Sequence, residues 1–258
     1  MALSNEHMLR LERIWILSKT DFVQRYYQTK LGLLWAVLNP IFQLAVFYVC
    51  FTYLVFRSGS TEFVMYLFLG ILTWQLFAQG SKAGLSTLFQ KRYLIESTNI
   101  NTLDLFIASI ITVNIQFILT LGIFLVFTLF FDIEFSYRVL YFFPTYLSII
   151  LFSMGTGMIL SVLKIGFRDI NQVWDLVILA GFWSVPIIWE QALVYEEYTF
   201  LLYVNPITGM LINFRNALIY NELPDFNALI YYSIVSIITL IIGLVVVKKF
   251  SRKLTEIL

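Results

Sequence analysis

The sequence predicts an all-α integral membrane protein. Six transmembrane helices follow an N-terminal amphipathic interface helix, and a re-entrant external segment lies between the fifth and sixth. Three observations carry this expectation. Of the 258 residues, 60% are hydrophobic and only 13% are charged, whereas soluble domains run nearer half apolar and about a quarter charged. Mean hydropathy is +0.83, and the apolar residues gather into six runs near the length that crosses a bilayer. The Lys and Arg residues fall almost wholly on one side of those runs.

The runs are Ala36–Phe56, Phe63–Gln79, Leu105–Phe131, Val139–Leu163, Leu176–Trp189 and Ala228–Val247. A helix rises about 1.5 Å per residue, so a hydrocarbon core of about 30 Å needs about twenty apolar residues. The fifth run is short, and the stretch after it is broken by Pro206; a helix followed by a re-entrant or interfacial excursion fits that pattern. The chain reads as a single domain over 1–258, with an interface helix in 1–35, the spans in 36–247 and a basic tail in 248–258. No cleavable signal pattern opens it, so the apolar segments are expected to remain in place.

From Met8 to Lys30 the pattern is helical, with Leu11, Ile14 (or Trp15), Ser18 and Phe22 along one face. Its mixture of basic and aromatic residues suits a helix lying at the membrane surface. A soluble helix capping the bundle is the plain alternative. Gly32 then permits a sharp change of direction, Trp35 suits headgroup depth, and Pro40 falls in the first turns of a span.

Orientation follows from the cations. Arg10, Arg13, Lys19, Arg25 and Lys30 precede the first span; Lys82, Lys91 and Arg92 lie in the second loop; Lys164 and Arg168 in the fourth; and Lys248, Lys249, Arg252 and Lys253 in the tail. Of 17 Lys and Arg residues, only Arg57, Arg138 and Arg215 fall on the other side. Both termini are therefore expected in the cytoplasm, with Glu190, Glu196, Glu197, Glu222 and Asp225 outside.

Function classes narrow by what the runs lack. None of the six contains Asp, Glu, Lys, Arg or His, the usual marks of proton relays and ion-coupled carriers. There is no Gly-x-x-x-x-Gly-Lys-[Ser/Thr] loop to cradle nucleotide phosphates and no His/Cys/carboxylate set with metal-ligand spacing. The net charge of +1 offers no field for nucleic acid. Cys50 sits inside an apolar run and reads as a buried, inert thiol. Adjacent Glu196 and Glu197 read as a solvated rim, since neighbouring side chains on a helix diverge. Ser153, Gly157 and Ser161 recur every four residues and read as helix–helix packing.

The run Arg25-Tyr26-Tyr27-Gln28-Thr29-Lys30-Leu31-Gly32-Leu33-Leu34-Trp35, continued to Asn39-Pro40, resembles the entry signature of type-2 ABC permeases that export O-antigen, teichoic acid and capsular polysaccharide. Phe167-Arg168-Asp169, Asn205-Pro206 followed by Arg215, and the basic ending extend the resemblance over essentially the whole chain. It departs in the central loop, where many members carry Pro-Arg and this chain reads Tyr93-Leu94-Ile95-Glu96-Ser97-Thr98. The resemblance implies a multi-pass protein of the cytoplasmic (inner) membrane. It implies a homodimer served by a separate ABC ATPase dimer, which holds the ATP and Mg while this chain binds no cofactor. The cargo would be a lipid-linked polysaccharide, O-antigen foremost. Teichoic acid or capsule, a small lipid or drug, and a membrane enzyme of glycan assembly are the alternatives.

Residue roles follow from the same resemblance. Arg25, the loop Lys82–Thr102 (with Lys82, Lys91, Arg92, Tyr93 and Glu96), Arg168 and Asp169 would meet the ATPase. Tyr195, Tyr198, Asn205, Pro206 and Arg215 would form an external gate. The first and fifth spans would line the conduit, placing Phe42, Gln43, Phe47, Tyr48, Phe51, Phe182, Trp183 and Trp189 along it. Sugars present apolar C–H faces that stack on rings; the plain alternative for any one ring is packing against protein or membrane lipid.

Overall fold

The structure is a computed structural model that describes residues 2–27, 29–50, 61–98, 100–129 and 136–257. Among them every regular element is helical. Phe51, Arg57 and the ends of the first and third expected spans, at 51–56 and 130–131, lie outside the described residues. In chain order the helices are α1 (Ala2–Gln24), α2 (Trp35–Val49), α3 (Thr61–Gln90), α4 (Arg92–Ser97), α5 (Thr102–Thr128), α6 (Phe142–Gly166), α7 (Ile170–Ser184), α8 (Ala192–Glu196), α9 (Leu201–Val204), α10 (Pro206–Leu218) and α11 (Phe226–Ile257).

Among the described residues four stretches are long and apolar enough to cross a membrane: Phe63–Gln90, Thr102–Thr128, Tyr137–Gly166 and Phe226–Phe250. Of the two remaining expected spans, α2 is described over Trp35–Val49. α7 has 15 residues, about 22 Å, against about 30 Å of hydrocarbon. α7 stops for a local reason. Pro186 cannot donate a backbone hydrogen bond and pushes the residue before it out of the helical region; Val185 accordingly sits at φ −96°, ψ 141°.

α6 is the centre of the bundle, with α3 along one side and α11 along the other. Small residues set both contacts. A Cβ on Gly84 would lie 2.7 Å from the Gly157 Cα, and one on Gly80 would lie 2.8 Å from the Ser153 hydroxyl. On the opposite face, a Cβ on Gly155 would meet the Leu240 backbone nitrogen at 2.6 Å. The four-residue repeat is therefore a packing seam, with Ser153 and Ser161 both buried on it.

α3 runs 30 residues, about 45 Å, so it continues past the expected end of its span. Lys82 is thus a helical residue some two turns before the connection, which corrects its expected place in a loop. The connection holds the short helix α4 and ends at Asn101, whose side chain accepts from Leu103 N and caps α5.

α1 lies along α5, with Ile14, Ser18 and Phe22 buried as the periodicity requires. The Thr112 hydroxyl donates to Ser18 O at 3.1 Å, and its partner hydroxyl on Ser18 turns back to Ile14 O. Leu11, expected on this face, is 67% exposed. α1 ends at Gln24, and the chain turns into α2 through Gly32, at φ +51° with open space around its Cβ position. Gly32→Ala should cost about 1 kcal/mol through left-handed strain alone. Thermal unfolding should show Gly32→Asn intermediate between glycine and alanine, since asparagine tolerates that region better.

Candidate functional site

The bundle has two chemically distinct ends. At the basic end, ion pairs tie α1, α3, α5 and α7 together. Arg10 Nε donates to Asp104 Oδ1 at 2.8 Å, with Asp104 buried in the first turn of α5, where the helix dipole also favours a carboxylate. This bond is the main cause that raises the Arg10 guanidinium above its ordinary range. Lys91, buried at the end of α3, pairs with Asp21 of α1. Lys82 meets Asp175 of α7 at 2.6 Å, and the Lys164 ammonium sits 4.8 Å over the Phe89 ring. α4 projects beyond these ties: Arg92 and Glu96 pair along its surface at 2.6 Å, and Tyr93 is 77% exposed. Arg168 and Asp169 are exposed in the turn between α6 and α7, and Arg25 is exposed just past α1, beside Tyr26, whose hydroxyl reaches Gln116 farther along α5.

Midway along the bundle the lining changes to side-chain amides. Gln43 of α2 accepts a hydrogen bond from Gln75 of α3. Gln116 of α5 donates to Ala36 O and accepts from the Tyr26 hydroxyl at 2.7 Å. Gln75, Gln79, Gln116 and Thr120 line a narrow crevice between α3 and α5. Gln43 was expected here; Gln75, Gln79 and Gln116 were not. The signal for them was the i, i+4 spacing of two amides inside an apolar helix.

The ring residues divide. Phe42 on α2 is 59% exposed, the side chains of Phe47 and Tyr48 are outside the described set, and Phe51 is wholly so. On α7, Phe182 stands edge-on to Trp74 at 6.3 Å and to Trp183 at 5.7 Å. Trp189 donates from Nε1 to Trp183 O at 3.3 Å and meets Tyr198 edge-on at 6.2 Å. Phe182 and Trp183 form one ring pair and Trp189 and Tyr198 a second, and the line they make is joined through the Trp183 carbonyl. α2 leans on α3 and α5, whereas α7 leans on α3 and α6, so the two expected conduit helices flank α3 within a single chain.

Toward the acidic end the path after α7 turns inward. Val185, Ile187 and Ile188 are buried without helical hydrogen bonding, and carbonyls at such depth need partners. Arg215 supplies them: Nη1 donates to Pro186 O at 2.5 Å, and Nη2 donates to Ile187 O at 3.1 Å and Tyr66 O at 3.0 Å. Its guanidinium carbon lies 3.3 Å from the Tyr66 ring centre, and the Tyr66 hydroxyl donates to Pro186 O and Trp189 O. Arg215 is 0% exposed. Its expected place among external gate residues is corrected: it is a clasp inside the bundle, on a helix, α10, buried along its whole length against α3, α6 and α11. Sequence spacing gave no hint of this, since Tyr66 and Arg215 meet only through the fold.

Asn205 and Pro206 start α10 for recognisable reasons. Asn205 accepts from Ile207 N and donates to the Ser184 hydroxyl at 2.9 Å, and proline occupies the first turn, where no donor is needed. Tyr195 donates to Asp225 at 3.1 Å, and Tyr198 is partly exposed beside Trp189. Among the described residues no cluster of His, Cys, Asp and Glu has the arrangement of a metal site.

Comparison with known proteins places this geometry. The family described as ABC-2 type transporter matches residues 12–219. The O-antigen export system permease protein RfbA of Klebsiella pneumoniae is 24% identical over 94% of this chain and 93% of its own length. The protein of the same description from Myxococcus xanthus is 24% identical over 87% and 86%. The polysialic acid transport protein KpsM of Escherichia coli is 23% identical over 85% and 86%.

Proposed function

The chain belongs to the ABC-2 type transporter family, and from that premise we propose that it is the membrane-spanning subunit of an ATP-driven exporter of lipid-linked polysaccharide, with O-antigen as the cargo. It is a membrane protein, and we assign it six spans, counting α2 and α7 with the four long helices. The basic end faces the cytoplasm and the acidic end faces outward, in the inner membrane. A separate ATPase dimer supplies ATP and Mg, and two copies of this chain form the path.

The observation that carries the reading is α7. None of its 15 residues is buried, although it is apolar and ends in a line of aromatic rings. Trp174, Ile178 and Phe182 pack on one side against the core, and the exposed apolar side gains free energy only against lipid or a second protein. Pairing it with the exposed side of α2 in a second copy brings Phe42 and Trp183 to opposite walls of one seam. Rings on such a seam give a glycan repeated weak contacts, and the amides of Gln43 and Gln75 offer hydroxyl partners at depth.

The basic end supports the drive. The pairs Arg10–Asp104 and Lys91–Asp21 fasten α1 to α5 and α3, so a push on α4 moves helices as rigid bodies. Tyr93 and the Arg92–Glu96 pair are the contacts offered to the ATPase.

Deleting the gene in its host strain tests the reading. Surface polysaccharide should disappear while lipid-linked polymer accumulates inside, and complementation should require an ATPase with an intact phosphate-binding loop. Surface polymer at the parental level in the deletion strain would overturn the assignment. A charge exchange tests the drive: Asp21→Lys should cut export severalfold, and Asp21→Lys with Lys91→Asp should recover most of it.

A further inference from the structure

At the acidic end, a cleft of about 140 Å³ opens between α8, α9 and the start of α11. It is separate from the ring line of α7 and from the amide crevice, and of the expected gate residues only Tyr195 lines it. Drug-sized pockets run to about 300 Å³ or more, so this one suits a single small ring. Its polar and aromatic lining comes from Tyr195, Thr199, Tyr203, Asp225, Asn227 and Tyr231.

The lining is built rather than incidental. Tyr203 and Tyr231 stand 5.2 Å apart at 73°, forming a corner of two aromatic walls, and the Tyr231 hydroxyl is fixed by donation to Tyr203 O at 2.6 Å. Asp225 is held by its backbone, which exchanges hydrogen bonds with the buried amide of Asn213, and by Oδ1, which accepts from Ala228 N at 3.1 Å. Its Oδ2 accepts from Tyr195 at 3.1 Å. Burial, and then the negative charge of Asp225, raises the Tyr195 phenol well above its ordinary range, so it stays a donor. A carboxylate has about four acceptor sites, and those two bonds leave Asp225 acceptor capacity facing the cleft. Thr199 donates its hydroxyl proton to Tyr195 O at 3.3 Å and so adds an acceptor, and Asn227 adds an exposed amide that both donates and accepts.

From this geometry we propose that the cleft is a monosaccharide subsite, binding one pyranose ring of the exported chain at the outer mouth. The sugar's C–H face lies on the corner of Tyr203 and Tyr231, and its hydroxyls donate to Asp225 and Thr199 and exchange hydrogen bonds with Asn227. The mixture of donors and acceptors fits a neutral polyol. An ammonium headgroup needs ring faces and negative charge, and it leaves the Asn227 donor and the Thr199 acceptor unused. The inference rests on the export reading for the identity of the sugar, and on the cleft alone for binding.

The test uses the full-length protein in nanodiscs. The probe is the repeat-unit oligosaccharide released by mild acid from the host strain's surface polysaccharide, with binding read by saturation-transfer NMR. Saturable binding is expected, weakened at least tenfold by Tyr203→Leu and by Asn227→Ala. Both residues are exposed, so unchanged thermal midpoints should certify the fold. Tyr137→Leu, an exposed ring elsewhere at this end, should bind as the parent does. Absence of binding by the parent, equal binding by all variants, or saturation by choline in place of the oligosaccharide would each overturn the subsite. The deletion strain separates the two claims. Retained surface polymer there sinks the export reading, whereas lost surface polymer with no oligosaccharide binding sinks the subsite alone.

Discussion

Arg215→Ala is expected to leave little folded protein, with size-exclusion profiles shifted to aggregate and the surviving fraction unfolding at a much lower temperature. The argument starts from the broken path after α7. Pro186 ends the helix, and Val185 to Ile188 continue at depth as irregular backbone whose carbonyls no helix satisfies. One guanidinium serves two of them, at Pro186 and Ile187, and ties them to the Tyr66 carbonyl of α3. A hydrogen bond from a charged donor contributes about 1.5–3 kcal/mol, and an orphaned buried acceptor costs about 1–3 kcal/mol. Losing three such bonds, with only the Tyr66 hydroxyl left on Pro186 O, should cost about 4 kcal/mol or more, a large part of an ordinary domain's stability. Arg215→Lys should recover a minority of this, because an ammonium lacks the planar fork that reaches carbonyls on two elements at once. Gly70→Ala should mimic part of the defect, since its Cβ would lie 2.8 Å from Nη2. A parental unfolding midpoint for Arg215→Ala would refute the clasp.

The clasp also marks where sequence reasoning succeeds and where it stops. Long runs such as Leu105–Phe131 and Val139–Leu163 became α5 and α6 because a bilayer-length apolar helix needs no distant partner to be recognised. The Ser153–Gly157 seam was legible for the same reason: four-residue spacing fixes a face whatever packs on it. Fold-dependent features were not. The apolar runs carry no charge, yet Arg215, well outside them between the fifth and sixth, is buried by α10 folding back among α3, α6 and α11. Asp175, one residue before the expected fifth span, likewise gained its meaning only from Lys82 across the bundle. Of the candidate sites, the ring line Phe182–Trp183–Trp189 was visible because its members are near neighbours in sequence. The amide crevice draws Gln75 and Gln79 from α3 and Gln116 and Thr120 from α5; i, i+4 spacing marks each pair, but no local pattern shows that the two pairs face each other.

Gly84→Val should be as damaging as loss of the arginine, by a different route. At this point α3 and α6 meet glycine to glycine: a Cβ on Gly84 would sit 2.7 Å from the Gly157 Cα, and one on Gly157 would sit 2.8 Å from the Gly84 Cα. The obstacle is backbone on both sides, so no rotamer change relieves it. The helices must separate or twist, which opens the seam above and below, where Gly80 meets Ser153 and Ser81 and Thr87 lie buried. Overpacking a rigid core costs about 1–3 kcal/mol for a methylene or two, and spreading one of the two most extensive helix pairs among the described residues should exceed that. The expected result is a loss of monodisperse protein comparable to Arg215→Ala, shared by Gly157→Val. Gly122→Ala provides the contrast, since its Cβ would meet nothing within 4 Å. There the mid-helix gain of about 0.5–1 kcal/mol should raise the unfolding midpoint. Equal tolerance of valine at 84 and alanine at 122 would mean that α3 and α6 are not in backbone contact, and that the bundle is arranged about some other axis.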